Sequence, residues 1–403
     1  MTVFILLLGH LEVVTWNVLT QVARRLRFVK SVLKAQESLS RLCRLFGISR
    51  KSGYKWKARF EREGRRGLWN RTRRPHGSPR RTSRKWLKRI RRMRRRHRHW
   101  GSRKLRACLV KEYPRQRVPA ARTLGRWLQR MKLTRRGRRR TRRGPRLKLG
   151  KLTAARRSNH VWTVDFKGWF RTQDGQRVEP LTVRDLHSRY LLAIRLLADQ
   201  RWEPVRGIFL RLFDRYGYPR VIRVDNGGPF GSTGPAGLSR LSAWWTALGI
   251  RVEFIAPGHP EQNGGHEQMH RVMKAETTRP PSSNPRAQQR RTDRWGHVYN
   301  WIRPHQALGQ RTPGTVYRPQ VQRRRVASLK YPPSWPVRRV RSNGEIKWQG
   351  QKRFVGEAFI GYPVGLKRRQ EKWQIYFGRL LIGELWPGEA GGMRPAQYKR
   401  YRK

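Results

Sequence analysis

The sequence predicts a multidomain protein with all-α units on the N-terminal side, a central α/β domain and a small C-terminal β-barrel. Three observations predict this order: apolar residues recur at helical spacing early in the chain, short apolar strands begin near residue 160, and aromatic strands with frequent turns fill 335–390. The 403 residues include 96 lysines and arginines but 23 acids, a formal net charge of +73. Such a field favours nucleic acid or an anionic membrane as partner and excludes ordinary small-molecule metabolism.

The charge is unevenly distributed along the chain. Residues 1–164 carry +47 and residues 281–403 carry +21, whereas residues 165–280 carry only +5 and contain 12 of the acids. Two cysteines, Cys43 and Cys108, are too few for a disulfide framework or a cysteine-rich zinc site. We therefore expect a reduced, intracellular protein whose acid-rich centre lies between DNA-binding arms.

Residues 31–70 have the pattern of a helix-turn-helix unit. One helix shows apolar residues at i, i+3, i+4 and i+7, and a glycine turn and an N-capping serine then introduce a second helix. These positions are Leu39, Leu42, Cys43, Phe46, Gly47 and Ser49. The second helix of such a unit enters the DNA major groove. Its predicted DNA-contacting residues are Arg50, Lys51, Ser52 and Lys55. An ordinary pair of bundle helices is the alternative.

A second unit of the same kind is predicted at 100–134. A helix from about Ser102 to Tyr113 is followed by one that Pro119 opens, and the exposed face of the latter offers Arg122, Thr123 and Arg126 to DNA. The segments between the predicted domains are too basic to pack, so we interpret 71–99 as a basic linker and 135–157 as an Arg-rich linker. Residues 1–30 match no pattern, and residues 391–403 form a basic tail.

The central domain is predicted at 158–320. Three strands, a helix, a strand, a helix, a strand and a further helix follow one another, which is typical of a mixed α/β sheet. The predicted strands are 160–166, 179–185, 190–197, 221–225 and 252–256, and the predicted helices lie around 205–213, around 241–248 and from about 262.

Three acids of this domain are candidate metal ligands. Asp165 lies in the first strand, Asp225 ends the fourth, and Glu267 lies on the last helix, on a face with His270, Arg271 and Lys274. Three carboxylates brought together need a cation between them, and oxygen ligands select Mg²⁺ or Mn²⁺. Two such ions support phosphodiester attack. Alternatively, each acid has a separate structural role, in a turn, on a helix surface or in an ion pair with arginine.

Five segments resemble the integrase core of bacterial insertion-sequence transposases. They are 162–169 (WTVDFKGW), 182–190 (TVRDLHSRY), 223–230 (RVDNGGPF), 257–267 (PGHPEQNGGHE) and 303–313 (RPHQALGQRTP). This resemblance implies a ribonuclease-H-like fold and a DDE triad of Asp165, Asp225 and Glu267. It also implies that His259, Asn263 and Gly264 line the active-site loop and that Lys274 contacts DNA near the scissile phosphate.

The tail at 335–390 alternates apolar and polar residues between turns, which predicts a small SH3-like β-barrel similar to the C-terminal module of integrases. The resemblance implies a transposase that joins element ends to target DNA with Mg²⁺ or Mn²⁺ as a homo-oligomer on double-stranded DNA. A catalytically inactive DNA-binding derivative is the alternative, and a plain metal-dependent nuclease is a third. No signal peptide or membrane span is expected, because the apolar run 3–8 is short, so we expect a cytoplasmic, nucleoid-associated protein.

The charge distribution predicts a steep salt dependence of duplex binding. Neutralised phosphates release counterions, so raising salt from 50 to 200 mM should weaken binding by about 10³–10⁵-fold for six to ten phosphate contacts. Fluorescence anisotropy with a labelled 30-base-pair duplex measures the slope, and a flat slope would contradict the assignment of the arms.

Overall fold

The protein was analysed as a computed structural model that describes residues 18–72, 83–134, 152–256, 259–319 and 329–396. The chain forms two compact units, residues 1–81 and residues 82–403.

The first unit is a three-helix domain. Its helices are α1 (Val18–Leu33), α2 (Leu39–Leu45) and α3 (Arg50–Glu63), followed by a 3₁₀ turn at Gly64–Leu68. Ser49 caps α3 by accepting a hydrogen bond from the Ser52 amide. A Cβ at Gly53 would lie 2.5 Å from Cys43 Sγ, so glycine allows α3 to approach α2 closely. The predicted helical pair is confirmed, and α1 adds a helix that begins in the segment 1–30, which the sequence left unassigned, and ends at Leu33.

The second unit begins with three more helices: α4 (Arg84–Arg96), α5 (Ser102–Glu112) and α6 (Ala121–Arg130). α4 corrects the basic linker predicted at 71–99, because residues 84–96 are helical. Trp86 and Ile90, one turn apart in an otherwise basic segment, are buried in a core with Trp100, Leu105 and Leu124. Because most residues of this helix are basic, the sequence pattern did not indicate its narrow apolar face.

A six-stranded mixed sheet forms the central domain. The strands are β1 (Val161–Phe166), β2 (Phe170–Arg171), β3 (Arg177–Asp185), β4 (Leu191–Leu197), β5 (Val221–Val224) and β6 (Arg251–Phe254). β1, β5 and β6 are parallel neighbours, whereas β3 pairs antiparallel with β1, β2 and β4. The predicted mixed α/β domain is confirmed, and β2 is an additional short strand.

Helices cover both faces of this sheet. They are α7 (Trp202–Tyr216), α8 (Arg240–Ala247), α9 (Gly264–Thr277), α10 (Pro285–His297) and α11 (Pro313–Val316). α7 and α8 bury Phe209 and Trp245 against Trp162 and Val183 on one face. On the other face, α9 and α10 pack Met273 and Trp295 against β4.

The C-terminal module has seven strands: β7 (Val337–Arg339), β8 (Glu345–Trp348), β9 (Gln351–Phe354), β10 (Pro363–Arg369), β11 (Lys372–Phe377), β12 (Leu380–Leu385) and β13 (Arg394–Pro395). Among the described residues they form a five-stranded antiparallel sheet and the hairpin β8–β9 around one core, without a continuous closed ladder. The C-terminal β-module is thus present. β13 pairs with β12, so residues 394–395 of the predicted basic tail belong to this sheet.

Two remaining predictions fall partly outside the described residues. The Arg-rich linker 135–157 is described only from 152, where Thr153 donates from both its amide and its hydroxyl to Glu253 at 2.8 Å. Residues 397–403 of the basic tail are also outside. Among the described helices, none has the length and apolar character needed to cross a membrane.

Candidate active site

The register of the parallel strands brings Asp165 and Asp225 side by side. Val161 lies opposite Val221 and Thr163 opposite Arg223, so β5 is offset from β1 by 60 residues. Asp165 and Asp225 have the same offset, and neighbouring strands are about 4.8 Å apart. Asp225 directly follows β5, and its Oδ1 accepts a hydrogen bond from the Gly227 amide. The sheet alone therefore makes these two carboxylates neighbours.

Glu267 approaches this pair from the first turn of α9. Burial, followed by the negative charge of Asp225 and that of Glu267, raises the pKa of Asp165 to about 7, against an opposing effect of Lys167. Burial also raises the pKa of Asp225. A helix N-terminus favours an anion in its first turn, which suits Glu267. Asp225 and Glu267 thus both act electrostatically on Asp165.

A buried hydroxyl connects β1, β3 and α9 behind these acids. Thr182 Oγ1 lies 3.0 Å from the Asp165 carbonyl oxygen and 2.6 Å from the Nε2 atoms of both His266 and His270. His266 Nδ1 lies 2.9 Å from Thr163 Oγ1. The side chains of Thr163, Thr182, His266 and His270 are buried, and that of Asp165 is 20% exposed. This network fixes α9 to the two strands that flank Asp165.

Only one arrangement of protons satisfies all three contacts of Thr182. A hydroxyl donates once, and a carbonyl oxygen only accepts, so Thr182 donates to Asp165 and both histidines donate from Nε2. His270 Nδ1 then carries a lone pair and lies 3.4 Å from Asp165 Oδ2. Burial, with the nearby Lys167 and Arg184, lowers the pKa of His270 to about 3, so this contact is not an ion pair at neutral pH. A neutral imidazole beside it agrees with the raised pKa of Asp165.

His266, His270 and Asp165 are also close enough to form a metal-ligand set. The hydrogen bonds argue against that reading, because both nitrogens of His266 already contact threonine hydroxyls, as does Nε2 of His270. Besides His270 Nδ1, the free ligand atoms near Asp165 are carboxylate oxygens, which suit hard ions such as Mg²⁺ or Mn²⁺ better than ions such as Zn²⁺ that prefer nitrogen and sulfur ligands. We therefore interpret the two histidines as structural.

A buried arginine supports the start of α9. Arg184 is almost fully buried on β3, and its Nη1 donates to the Gly265 carbonyl at 2.6 Å. A Cβ at Gly265 would lie 3.1 Å from Arg184 Nη2 and 3.2 Å from Arg189 Nη1. Glycine at 265 therefore lets the helix start close to the guanidinium. The sequence pattern singled out Gly264 but not Gly265, Arg184 or His266, and it gave His270 no buried partner, although His266 and His270 are one helical turn apart.

The loop residues have distinct environments. Asn263 is buried at the N-cap of α9, and its Oδ1 has no hydrogen-bond partner among the described residues. Gly264 is the first residue of α9, and the His259 amide donates to Ala256. Lys274 is exposed on α9, as expected, but His270 faces the sheet. The sequence placed Glu267, His270, Arg271 and Lys274 on one face of this helix, but His270 is buried whereas the other three are exposed.

The predicted DNA-contacting residues lie on α3 and α6. Arg50, Lys51 and Lys55 are exposed on α3, whereas Ser52 is half-buried and its Oγ accepts a hydrogen bond from Ser49. Tyr54, 62% exposed on the same helix, was not predicted. On α6, Arg122 and Arg126 are exposed and Thr123 is half-buried. The basic side chains are thus available to a ligand.

Models of known families match most of the described chain. Two models described as "Integrase core domain" match residues 155–260 and 248–313. A "Helix-turn-helix domain" matches 24–76 and a "Homeodomain-like domain" matches 52–128. The "IS481 family transposase, C-terminal domain" matches 336–385. These matches, with the sheet and helix order above, confirm the predicted ribonuclease-H-like core between helical DNA-binding units and a C-terminal module.

A curated relative points to the same class of protein. The "Insertion element IS476 uncharacterized 39.2 kDa protein" of Xanthomonas euvesicatoria is 30% identical over 223 residues, which are 54% of this chain and 60% of that protein. The chain thus aligns with less than two thirds of this relative. Together with the family matches, it confirms the resemblance to insertion-sequence transposases with a retroviral-integrase-type core.

Two solved structures are also similar in part. The HTLV-2 integrase catalytic core domain in complex with magnesium is 14% identical. The match covers 41% of this chain and 100% of that chain, with a TM-score of 0.32. A chain of the simian T-cell lymphotropic virus intasome in complex with PP2A regulatory subunit B56 gamma is 15% identical, and the match covers 74% of this chain and 99% of that one, with a TM-score of 0.36.

We predict that the Thr182 hydroxyl stabilises the fold. In Thr182→Val, His266 and His270 lose their shared acceptor at nearly unchanged volume, so the free energy of unfolding should fall by about 2–4 kcal/mol. Thr182→Ser keeps the hydroxyl and should lose about 1 kcal/mol or less. Urea unfolding of the full chain measures both variants, and a valine variant as stable as the serine variant would refute the role of the hydroxyl.

Proposed function

We propose that the protein is a DNA transposase that binds the ends of a mobile element and joins their 3′-hydroxyls to target DNA. The observation that carries the proposal is the electrostatic effect of Asp225 and Glu267 on Asp165, which together with burial raises the pKa of Asp165 to about 7. Integrase-type cores use divalent metal ions, and the three proposed ligands are carboxylates. The domain matches provide the DNA-binding units that such a reaction needs.

The three carboxylates would hold Mg²⁺ or Mn²⁺, which when bound lowers the barrier by neutralising charge around the reacting phosphate. In the joining step the 3′-hydroxyl oxygen of the element attacks a phosphorus atom of the target. A new phosphodiester bond forms, the bond from that phosphorus to its 3′-bridging oxygen breaks, and the hydroxyl proton is transferred to the departing oxygen by way of solvent. One bond is exchanged for another, so no external energy source is required.

The remaining roles follow from this proposal. His259, Asn263 and Gly264 shape the loop beside the scissile phosphate, and Lys274 contacts the nearby backbone. Arg50, Lys51, Ser52 and Lys55 on α3 and Arg122, Thr123 and Arg126 on α6 contact element ends. The protein acts as a homo-oligomer, because two ends must be held together, and it acts on the chromosome in the cytoplasm. A catalytically inactive DNA-binding derivative and a plain nuclease are the competing functions.

Each acid of the triad should be required for joining. Asp165→Asn, Asp225→Asn and Glu267→Gln remove a charged ligand at constant size, and we expect each to reduce Mg²⁺-dependent strand transfer by about 10³-fold, a typical loss for a key electrostatic group. Asp293→Asn is the matched control, since this acid is half exposed and pairs with Arg195 on the surface. A gel assay with pre-cleaved ends measures joining, and anisotropy should show unchanged DNA binding.

The same assay separates the competing functions. Wild-type joining in the Asp165 or Glu267 variant would disprove the triad. Products that are cut but never joined would establish a nuclease instead. No reaction and no Mn²⁺ binding by the wild-type protein would establish a DNA-binding derivative.

Metal binding should depend on pH through Asp165. This carboxyl has a pKa of about 7, so a metal must displace its proton at lower pH. Mn²⁺ affinity should therefore rise about tenfold per pH unit from 5.5 to 7 and level off above, because the proton is then already lost. Isothermal titration at four pH values measures this, with Asp293→Asn again as the control. A pH-independent affinity would contradict the assignment of Asp165.

A further inference from the structure

Trp169 is an exposed tryptophan close to the candidate triad. It follows Asp165 by four residues, and 54% of its surface is exposed. Four residues of extended chain span at most about 14 Å, which bounds the distance between the two Cα atoms. A single exposed apolar residue is common on protein surfaces and carries no meaning alone. Its neighbours distinguish this one.

Two arginines are fixed beside the indole. Arg171 and Arg177 lie opposite each other in the β2–β3 pair. Their guanidinium carbons are 5.8 and 5.0 Å from the centroid of the Trp169 ring. Both distances are within the range of cation–π contacts, which hold a cation near an aromatic face.

Both guanidiniums are anchored from behind. Arg171 Nη1 donates to the Gly175 carbonyl at 2.7 Å. Arg177 pairs with Glu179, whose side chain is 3% exposed and also accepts a hydrogen bond from Gln200 Nε2 at 2.5 Å. The arginines are therefore held in place before any ligand arrives, while half of the indole remains open.

The combination of a flat open ring and fixed positive charge matches one kind of ligand. Nucleobases stack on exposed aromatic side chains, while neighbouring arginines attract the phosphates on either side. Among the described residues, Arg171 has no carboxylate partner, so its charge remains available to a phosphate. A purely apolar protein contact would gain nothing from two cations beside the ring, because they would have to be desolvated.

We propose that Trp169 stacks on a nucleobase that has left the duplex next to the scissile phosphate. Bases inside a duplex present only their edges, so the indole can reach a base face only at a frayed element end or at a kinked target step. This inference rests on the proposed function, because it places the reacting DNA over Asp165. It adds to that function a recognition site on the hairpin that follows β1.

The test measures stacking without catalysis. Full-length protein is mixed with 30-base-pair duplexes that carry the fluorescent base 2-aminopurine, and EDTA is present to prevent catalysis. In one arm the probe lies in a three-nucleotide overhang. In the other arm it lies in a central mismatch. Stacking on the indole should quench the fluorescence of the unpaired probe. Quenching in the overhang arm identifies the element end as the source, and quenching in the mismatch arm identifies the target.

Two substitutions at one position separate a stacking role from an apolar contact. Trp169→Phe keeps an aromatic ring and should retain most of the quenching, whereas Trp169→Leu keeps apolar volume only and should abolish it. The leucine variant should also bind the responsive duplex about tenfold more weakly. Equal quenching by wild type and Trp169→Leu overturns the proposal, as does a loss of self-association in that variant without a change in quenching.

Further variants test whether the quenching depends on the arginine charge and whether it is independent of catalysis. Arg177→Ala should weaken quenching, whereas Arg201→Ala removes a side chain that is 76% exposed and pairs with Asp199, and should leave it unchanged. Asp165→Asn should quench like wild type. If Asp165→Asn still joins DNA while Trp169→Leu loses quenching, the proposed triad fails and the stacking site stands, so the two failures are distinguishable.

Discussion

The hydrogen bonds of the Thr182 hydroxyl are the contacts on which the candidate site depends most. Carboxylates that share a site repel one another, so without a bound cation the protein must hold them together by other means. Asp165 lies in β1, which is paired with β5, and Asp225 directly follows β5, so the sheet positions the backbone of both. Glu267 lies on α9, whose start is joined to the sheet by the Arg184 side chain, and Thr182 joins this helix through His266 and His270 to the strand of Asp165.

Burial strengthens the hydrogen bonds of Thr182 and also raises the cost of losing one of them. In a low-dielectric interior, hydrogen bonds are stronger and unpaired polar groups are more costly than at the surface. Arg184 illustrates both effects. Its almost completely buried guanidinium donates a hydrogen bond from Nη1 to the Gly265 carbonyl, whereas its Nε has no hydrogen-bond partner among the described residues. The sheet face under the start of α9 is therefore polar around Thr182 and Arg184, whereas the opposite face, under α7 and α8, is apolar.

The sequence predicted those parts of the structure that depend on local pattern. The alternation of apolar residues located the strands that carry or precede Asp165 and Asp225, whereas their parallel pairing came only from the structure. The sequence also singled out Glu267 on the last helix, and motif resemblance made it the third member of the triad. The role of His270 was missed because helical periodicity grouped it with Lys274 on one face, whereas the buried partner Thr182 draws it inward. Such a preference arises only when two distant segments meet.

The α4 region shows a different limit. Thirteen residues from Arg84 to Arg96 are mostly basic, so average hydropathy favoured a linker, yet Trp86 and Ile90 are sufficient to bury one helix face. Two large apolar side chains contribute several kcal/mol of burial, and the surrounding arginines are themselves good helix formers, so both effects favour a helix over a linker. The basic composition of this segment therefore suggested a linker, whereas the spacing of Trp86 and Ile90 indicated a helix.

The candidate site also couples stability to its ligand. The raised pKa of Asp165 shows that the ionised carboxylate is disfavoured by burial and by the other two acids. A cation that binds the native site and not the unfolded chain removes this repulsion and stabilises the fold by an amount that grows with the ratio of its concentration to Kd. The network around Thr182 must then be stable enough to keep the acids together before the cation arrives. Its buried threonines and histidines meet that need without adding a positive charge that would compete with the metal.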